Sequence, residues 1–145
     1  MLEKGVQKRN YKKAIEKIRN SLEKNPNVIF AYLYGSIARG TTHKFSDIDI
    51  AVYLKDASTE KFLELLSYIP DDIPFEVDIK DLNTAPPLLR YNVIREGILL
   101  FSKNKEILAE FKYKTTLIAL DIKSDIEKLR RTKLERFLKY WRAMN

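Results

Sequence analysis

Two aspartates one residue apart, Asp47 and Asp49, stand in the otherwise apolar run DIDIAVYL. In a strand, alternate side chains share a face, so the two carboxylates project together, one pleat repeat apart. Burying such a pair without a cation is costly, because each charge disfavours the other and both lose water. A divalent cation between them removes that conflict, and Mg²⁺ is the ion that takes carboxylate and phosphate oxygens while keeping some of its water. The bland alternative is a polar strand face at a sheet edge. Ahead of the pair, Gly35-Ser36 closes the apolar run VIFAYLY. A glycine there lets backbone approach a ligand closely, and amide N–H groups with a serine hydroxyl at the start of a short helix suit an anion. Read alone, Gly35-Ser36 is an ordinary strand-ending turn. Read together, the two halves place phosphate-binding groups just before cation-binding groups, which a nucleoside triphosphate with Mg²⁺ requires.

A third carboxylate completes such a site. The stretch FEVDIKD offers Glu76, Asp78 and Asp81. Strand alternation puts Phe75, Val77 and Ile79 on one face and Glu76, Asp78 and Lys80 on the other. Asp78 is mid-strand, with its main chain expected to be buried, and is the candidate. Asp81 has the opposite parity and is expected to end the strand or cap the turn before Asn83. Arg39, in the loop GSIARG, is placed to steady a phosphate or to pair with a carboxylate. His43, the only histidine, has no visible partner and is read as exposed and non-catalytic. Arg90 and Arg95 read as a solvated helix face.

The elements that position these residues follow from periodicity. Tyr11, Ala14, Ile15, Ile18 and Leu22 have helical spacing, and Asn25-Pro26-Asn27 ends that helix. Residues 28–34 and 47–54 read as strands, with Ile48, Ile50 and Val52 facing away from Asp47, Asp49 and Ala51. Residues 58–68 read as a helix stopped by Pro70, and 75–81 as a third strand. Pro86-Pro87 opens a short helix that Gly97 closes, before a fourth strand at 98–101. No Gly or Pro follows Gly97, so the rest is one long helix, or two if the capping-box form of Ser124-Asp125-Ile126-Glu127 restarts it. The expectation is an α/β domain (α+β) with a small mixed sheet flanked by helices, a core over about 28–102 and a basic helical extension over about 104–145.

The chain has 145 residues and a net charge of +7. That length is most simply one domain with a real core. The charge is uneven: residues 1–25 hold eight Lys/Arg against three acids, 103–145 hold twelve against six, and 26–102 hold seven against eleven. An acidic middle invites cations, and basic ends invite an acidic protein or a nucleic acid, unless they are simply solvated helix faces. There is no cysteine, which excludes disulfides and thiolate metal sites. No apolar run approaches the ~20 residues needed to cross a bilayer, and the first residues lack a signal-peptide apolar region. A cytoplasmic location without membrane contact is expected.

Gly35-Ser36, then Asp47-Ile48-Asp49-Ile50, then an aspartate in a later strand together resemble the DNA polymerase β-like nucleotidyltransferase superfamily. The fuller text GSIARG…SDIDIAV, with VDIKDLNTAPPLLRYNVIREGILLF, resembles its minimal nucleotidyltransferase branch, which includes the antitoxins of HEPN–MNT toxin–antitoxin systems. The resemblance spans about Val28 to Phe101. It implies that Gly35 and Ser36 hold nucleotide phosphates, that Asp47, Asp49 and Asp78 ligate two Mg²⁺, and that Asp78 also helps deprotonate the attacking hydroxyl. It further implies AMP transfer from ATP to a tyrosine hydroxyl of a HEPN-type RNase toxin, encoded by the adjacent gene, which neutralises the toxin. Two alternatives stand beside it: a non-catalytic antitoxin that sequesters the toxin through its C-terminal helices, or a nucleotidyltransferase acting on a small molecule or RNA. Direct nucleic-acid contact through the basic ends is the lesser reading.

Overall fold

The computed structural model of the chain describes residues 2–40 and 47–144, with side chains from residue 10 onward. His43 therefore lies outside the described residues. In order, the elements are α1 (Leu2–Lys24), β1 (Val28–Tyr34), α2 (Gly35–Ala38), β2 (Ile48–Leu54), α3 (Thr59–Leu66), β3 (Val77–Asp81), α4 (Pro87–Glu96), β4 (Ile98–Ser102) and α5 (Lys105–Met144).

The sheet has four strands in the order β3-β2-β1-β4. β1 runs antiparallel to both β2 and β4, while β2 and β3 are parallel. That parallel pair needs a crossover, and α3 supplies it. Ser58 caps α3 by accepting from the Lys61 amide at 3.3 Å, and Asn83 ties the far end of β2 to the turn after β3 through both the N–H and the carbonyl of Leu54.

The two faces of the sheet are covered by different helices, and the strands show this in their alternation. One face carries Val28, Ala31, Leu33, Ile48, Ile50, Val52 and Ile79, which pack with Tyr11, Ala14, Ile18 and Leu22 of α1 and Leu65 of α3. The other carries Phe30, Tyr32 and Ala51, which pack with Val93 of α4 and Leu108 and Phe111 of α5. Ile48, Ile50 and Val52 are fully buried, each contributing about 1.5–3 kcal/mol by leaving water. The α1 helix starts well before Tyr11, where periodicity first becomes readable.

Past β4 the chain forms one helix of 40 residues. Ser124 does not restart it. Nothing in the following sequence breaks backbone hydrogen bonding, so the capping-box residues continue the helix instead of opening a new one.

Candidate active site

Three residues form a row across the sheet. Tyr34 at the end of β1 is the register partner of Asp49 in β2, and Asp49 is the register partner of Asp78 in β3. Register partners project to the same face, so a partly buried tyrosine and two carboxylates stand side by side. Asp47 precedes β2 by one residue and is exposed. The start of β2 is pinned by the Ile48 amide donating to the Glu76 carbonyl at 2.8 Å.

Gly35 is backed onto this row. Its φ is +78°, in the region that side-chain-bearing residues adopt only with strain. A Cβ there would overlap Asp49 Oδ2 and come within 3.1 Å of its Cγ. The glycine thus lets β1 turn into α2 and keeps space for the Asp49 carboxylate. Ser36 sits in the first turn of α2, which packs on β1, β2 and α4. Tyr34, the N-cap residue, makes no capping hydrogen bond with its side chain, an arrangement compatible with an anion facing the first turn.

The electrostatics record the crowding. Burial, then the charges of Asp78 and Asp47, raise the Asp49 carboxyl above the usual aspartate value, while Lys80 and Arg39 act in the opposite sense. The Tyr34 hydroxyl is pushed up to about 12, by burial first and then by Asp49 and Asp78. It therefore stays protonated in the neutral range. Tyr11 is raised by burial and by Asp47, which places Asp47's charge within reach of α1.

Asp78 differs from expectation in one respect. Its strand is at the sheet edge and its side chain is about half exposed, ion-paired with Lys80 Nζ at 3.6 Å. What brings it to Asp49 is the parallel register rather than burial. Lys80, two residues on, shares the face of Asp78. The same alternation that selected Asp78 puts Lys80 there, but no rule of spacing gives a lysine a role. Arg39 reaches Glu96 of α4, with NH1 at 3.5 Å from Oε2, and Arg95 holds the other oxygen of Glu96 at 3.0 Å. Of the two readings for Arg39, carboxylate pairing is the one present. The pair is exposed, and such pairs are worth about 0–1 kcal/mol, so Arg39 remains exchangeable. Arg90 is no solvated helix residue: it donates to the carbonyls of Ala85 and Asn83 at 2.9 and 2.6 Å, fixing the turn before α4. Asp81 caps that turn as expected, accepting from the Asn83 amide at 2.8 Å.

Among the described residues no three His, Cys, Asp or Glu side chains converge closely enough to hold a metal ion on their own. The paired Asp49 and Asp78 nonetheless fit Mg²⁺. They offer hard oxygen donors only, they repel each other without a cation, and Mg²⁺ is usually bound by one or two carboxylates completed by phosphates and water.

This sheet, with a glycine turn feeding carboxylates on neighbouring strands, is the frame of a nucleotidyltransferase. The family model "Polymerase beta, Nucleotidyltransferase" matches residues 16–106, and the chain belongs to that family. It is 31% identical over 102 residues to the protein adenylyltransferase MntA of Shewanella oneidensis, covering 70% of this chain and 71% of that one. Among solved structures it is similar to a variant of the toxin–antitoxin pair MntA–HepT, with TM-score 0.69 and 26% identity over 83% of this chain and 98% of that one. It is also similar to a toxin–antitoxin structure with AMP-PNP, with TM-score 0.68, 27% identity and the same coverage. The chain therefore has the polymerase β-like nucleotidyltransferase fold. Among the described residues no helix is long and apolar enough to cross a membrane.

Proposed function

We propose that the chain is a Mg²⁺-dependent protein adenylyltransferase that moves AMP from ATP to a tyrosine hydroxyl of a HEPN-type toxin and thereby neutralises it. The observation that carries the reading is the Asp49–Asp78 register, with Gly35 backed onto the same carboxylate. The similarity to MntA, named a protein adenylyltransferase, and to toxin–antitoxin structures, one of them with AMP-PNP, supports the partner, the donor and the acceptor class.

In this reading Gly35 and Ser36 receive the triphosphate, and the absence of a Cβ at Gly35 lets the phosphates approach the backbone. Arg39 leaves its exposed pair with Glu96 to steady a phosphate. Asp49 and Asp78 would hold the metal, with Asp47 turning in to join them once it is bound, and Mg²⁺ would neutralise charge on the phosphates and on the entering and leaving oxygens. Asp78, the more accessible of the paired carboxylates, takes the proton of the attacking tyrosine. The new bond joins that phenolic oxygen to the α-phosphorus, the bond from the α-phosphorus to the bridging oxygen breaks, and pyrophosphate leaves with the electron pair. Much of the rate comes from holding the three parties in line. Tyr34, protonated, lines the row beside the Asp49 carboxylate.

Intact-mass measurement of the HEPN-type protein encoded beside this chain, after incubation with the chain, ATP and Mg²⁺, tests this. The expected result is one or more AMP increments that map to a tyrosine. An unmodified partner, or AMP appearing on RNA or a small molecule instead, overturns it.

A further inference from the structure

The α5 helix outruns the fold it belongs to. Its inner half is seated by Leu108, Phe111, Thr115 and Ala119, all buried. At 3.6 residues per turn the same stripe continues through Ile122, Ile126, Leu129, Phe137, Tyr140 and Met144, with Trp141 beside it. Beyond Lys123, which lies over the Tyr91 ring of α4 at 4.3 Å, every residue through Met144 is exposed. Leu129 is 63% exposed, Phe137 59% and Trp141 55%. The segment 124–144 spans ~30 Å of helix. An exposed apolar row of this extent marks a binding surface. Anchors at i, i+3, i+4 and i+7 are what a helix presents to a groove.

The charges around the row say what kind of groove. Residues 124–144 hold seven Lys/Arg and three acids. Arg130 and Arg136 border the stripe and Lys133 interrupts it, whereas Asp125 is the one acid at its edge. Glu127 lies on the far side, paired with Arg131 at 3.0 Å. Two copies packed along this stripe would set basic rims against each other, which disfavours self-association. A nucleic acid has no use for a row of Leu, Ile, Phe and Trp at helical spacing.

We propose that the outer half of α5 is a docking arm that seats in an apolar groove rimmed by carboxylates on the partner protein. This rests on the partner-protein reading above but not on its chemistry: the arm supplies affinity, and the carboxylate row supplies the transfer.

The test uses the full chain and the HEPN-type protein encoded beside it, with affinity measured by calorimetry. Leu129→Glu/Phe137→Glu/Trp141→Glu is expected to weaken partner binding at least ~100-fold, because exposed anchors become buried hot spots on docking. The same variant keeps the wild-type melting temperature and the wild-type affinity for ATP with Mg²⁺. Arg130→Glu/Lys133→Glu/Arg136→Glu is expected to weaken binding ~10-fold or more and to flatten its dependence on salt. Wild-type partner affinity in the apolar triple variant overturns the proposal. So does a dimeric wild type that this variant renders monomeric, or loss of binding to RNA or anionic vesicles, with partner affinity unchanged in either case. Arm-dependent partner binding without any AMP transfer sustains the arm and refutes the adenylyltransferase reading, so the two fail separately.

Discussion

Gly35 and Gly40 together separate backbone strain from damage to the site. Both have positive φ, +78° and +74°, but a Cβ at Gly35 meets the Asp49 carboxylate, whereas at Gly40 it meets no atom of the described residues within 4 Å. Gly40→Ala then carries only the left-handed penalty, about 1–2 kcal/mol. Gly35→Ala carries that penalty and also forces Asp49 off its rotamer, adding about 0.5–1.5 kcal/mol, for a total of about 1.5–3.5 kcal/mol. For a chain of this size each kcal/mol moves the melting temperature by about 2–4 °C. Scanning calorimetry should therefore show a fall of roughly 2–8 °C for Gly40→Ala and a larger one, roughly 3–14 °C, for Gly35→Ala. The functional contrast is larger. Moving a reacting-site carboxylate by about 1 Å costs on the order of 10²-fold in rate, so Gly35→Ala should lose about two orders of magnitude in AMP transfer while Gly40→Ala stays within about threefold of wild type. Equal transfer rates for the two variants would refute the idea that Gly35 protects the position of Asp49.

Three further outcomes follow from the same row. The Asp49 carboxyl binds its proton more tightly folded than unfolded, so its favourable contribution is complete below the usual aspartate value and is lost as pH rises through its folded value. In urea titrations without metal, Asp49→Asn should therefore be more stable than wild type at pH 7, with the gap closing towards pH 4 and below; a pH-independent gap contradicts this. Adding Mg²⁺ should raise the wild-type melting temperature, by linkage to the folded state, and leave Asp49→Asn/Asp78→Asn unchanged. Lys80→Ala removes the cation now paired with Asp78, so titration calorimetry should show Mg²⁺ binding several-fold tighter, whereas weaker binding would mean that Lys80 organises the site instead of competing for it.

Much of this was readable from residue order because it depends on short-range rules. Strand alternation separated Ile48, Ile50 and Val52 from Asp49, and it set Asp78 apart from Asp81. Pro87 and Gly97 bracketed α4 as proline and glycine do. The pairing of Asp49 with Asp78 was not readable, because the parallel register depends on how α3 carries the chain over the sheet, a long-range outcome of packing. For the same reason the sequence suggested burial for Asp78 when its strand is an edge. The partners Lys80 and Glu96 escaped notice because a charged residue at a permissive position carries no signature until its neighbour is known. Arg90 looked like solvated surface because helical position does not reveal that two turn carbonyls lie within reach. For α5, the lack of breakers left one helix or two equally compatible with the text, and continuous backbone hydrogen bonding decided for one.

The central claim is that Asp47 and Asp49 serve transfer of AMP to a partner protein, and α-labelled ATP tests it most directly. With Mg²⁺ and the HEPN-type protein present, the wild-type chain is predicted to place label on that protein, and the Asp47→Ala/Asp49→Ala variant to place none above background. Equal labelling by the two, or no labelling by either, would contradict the account.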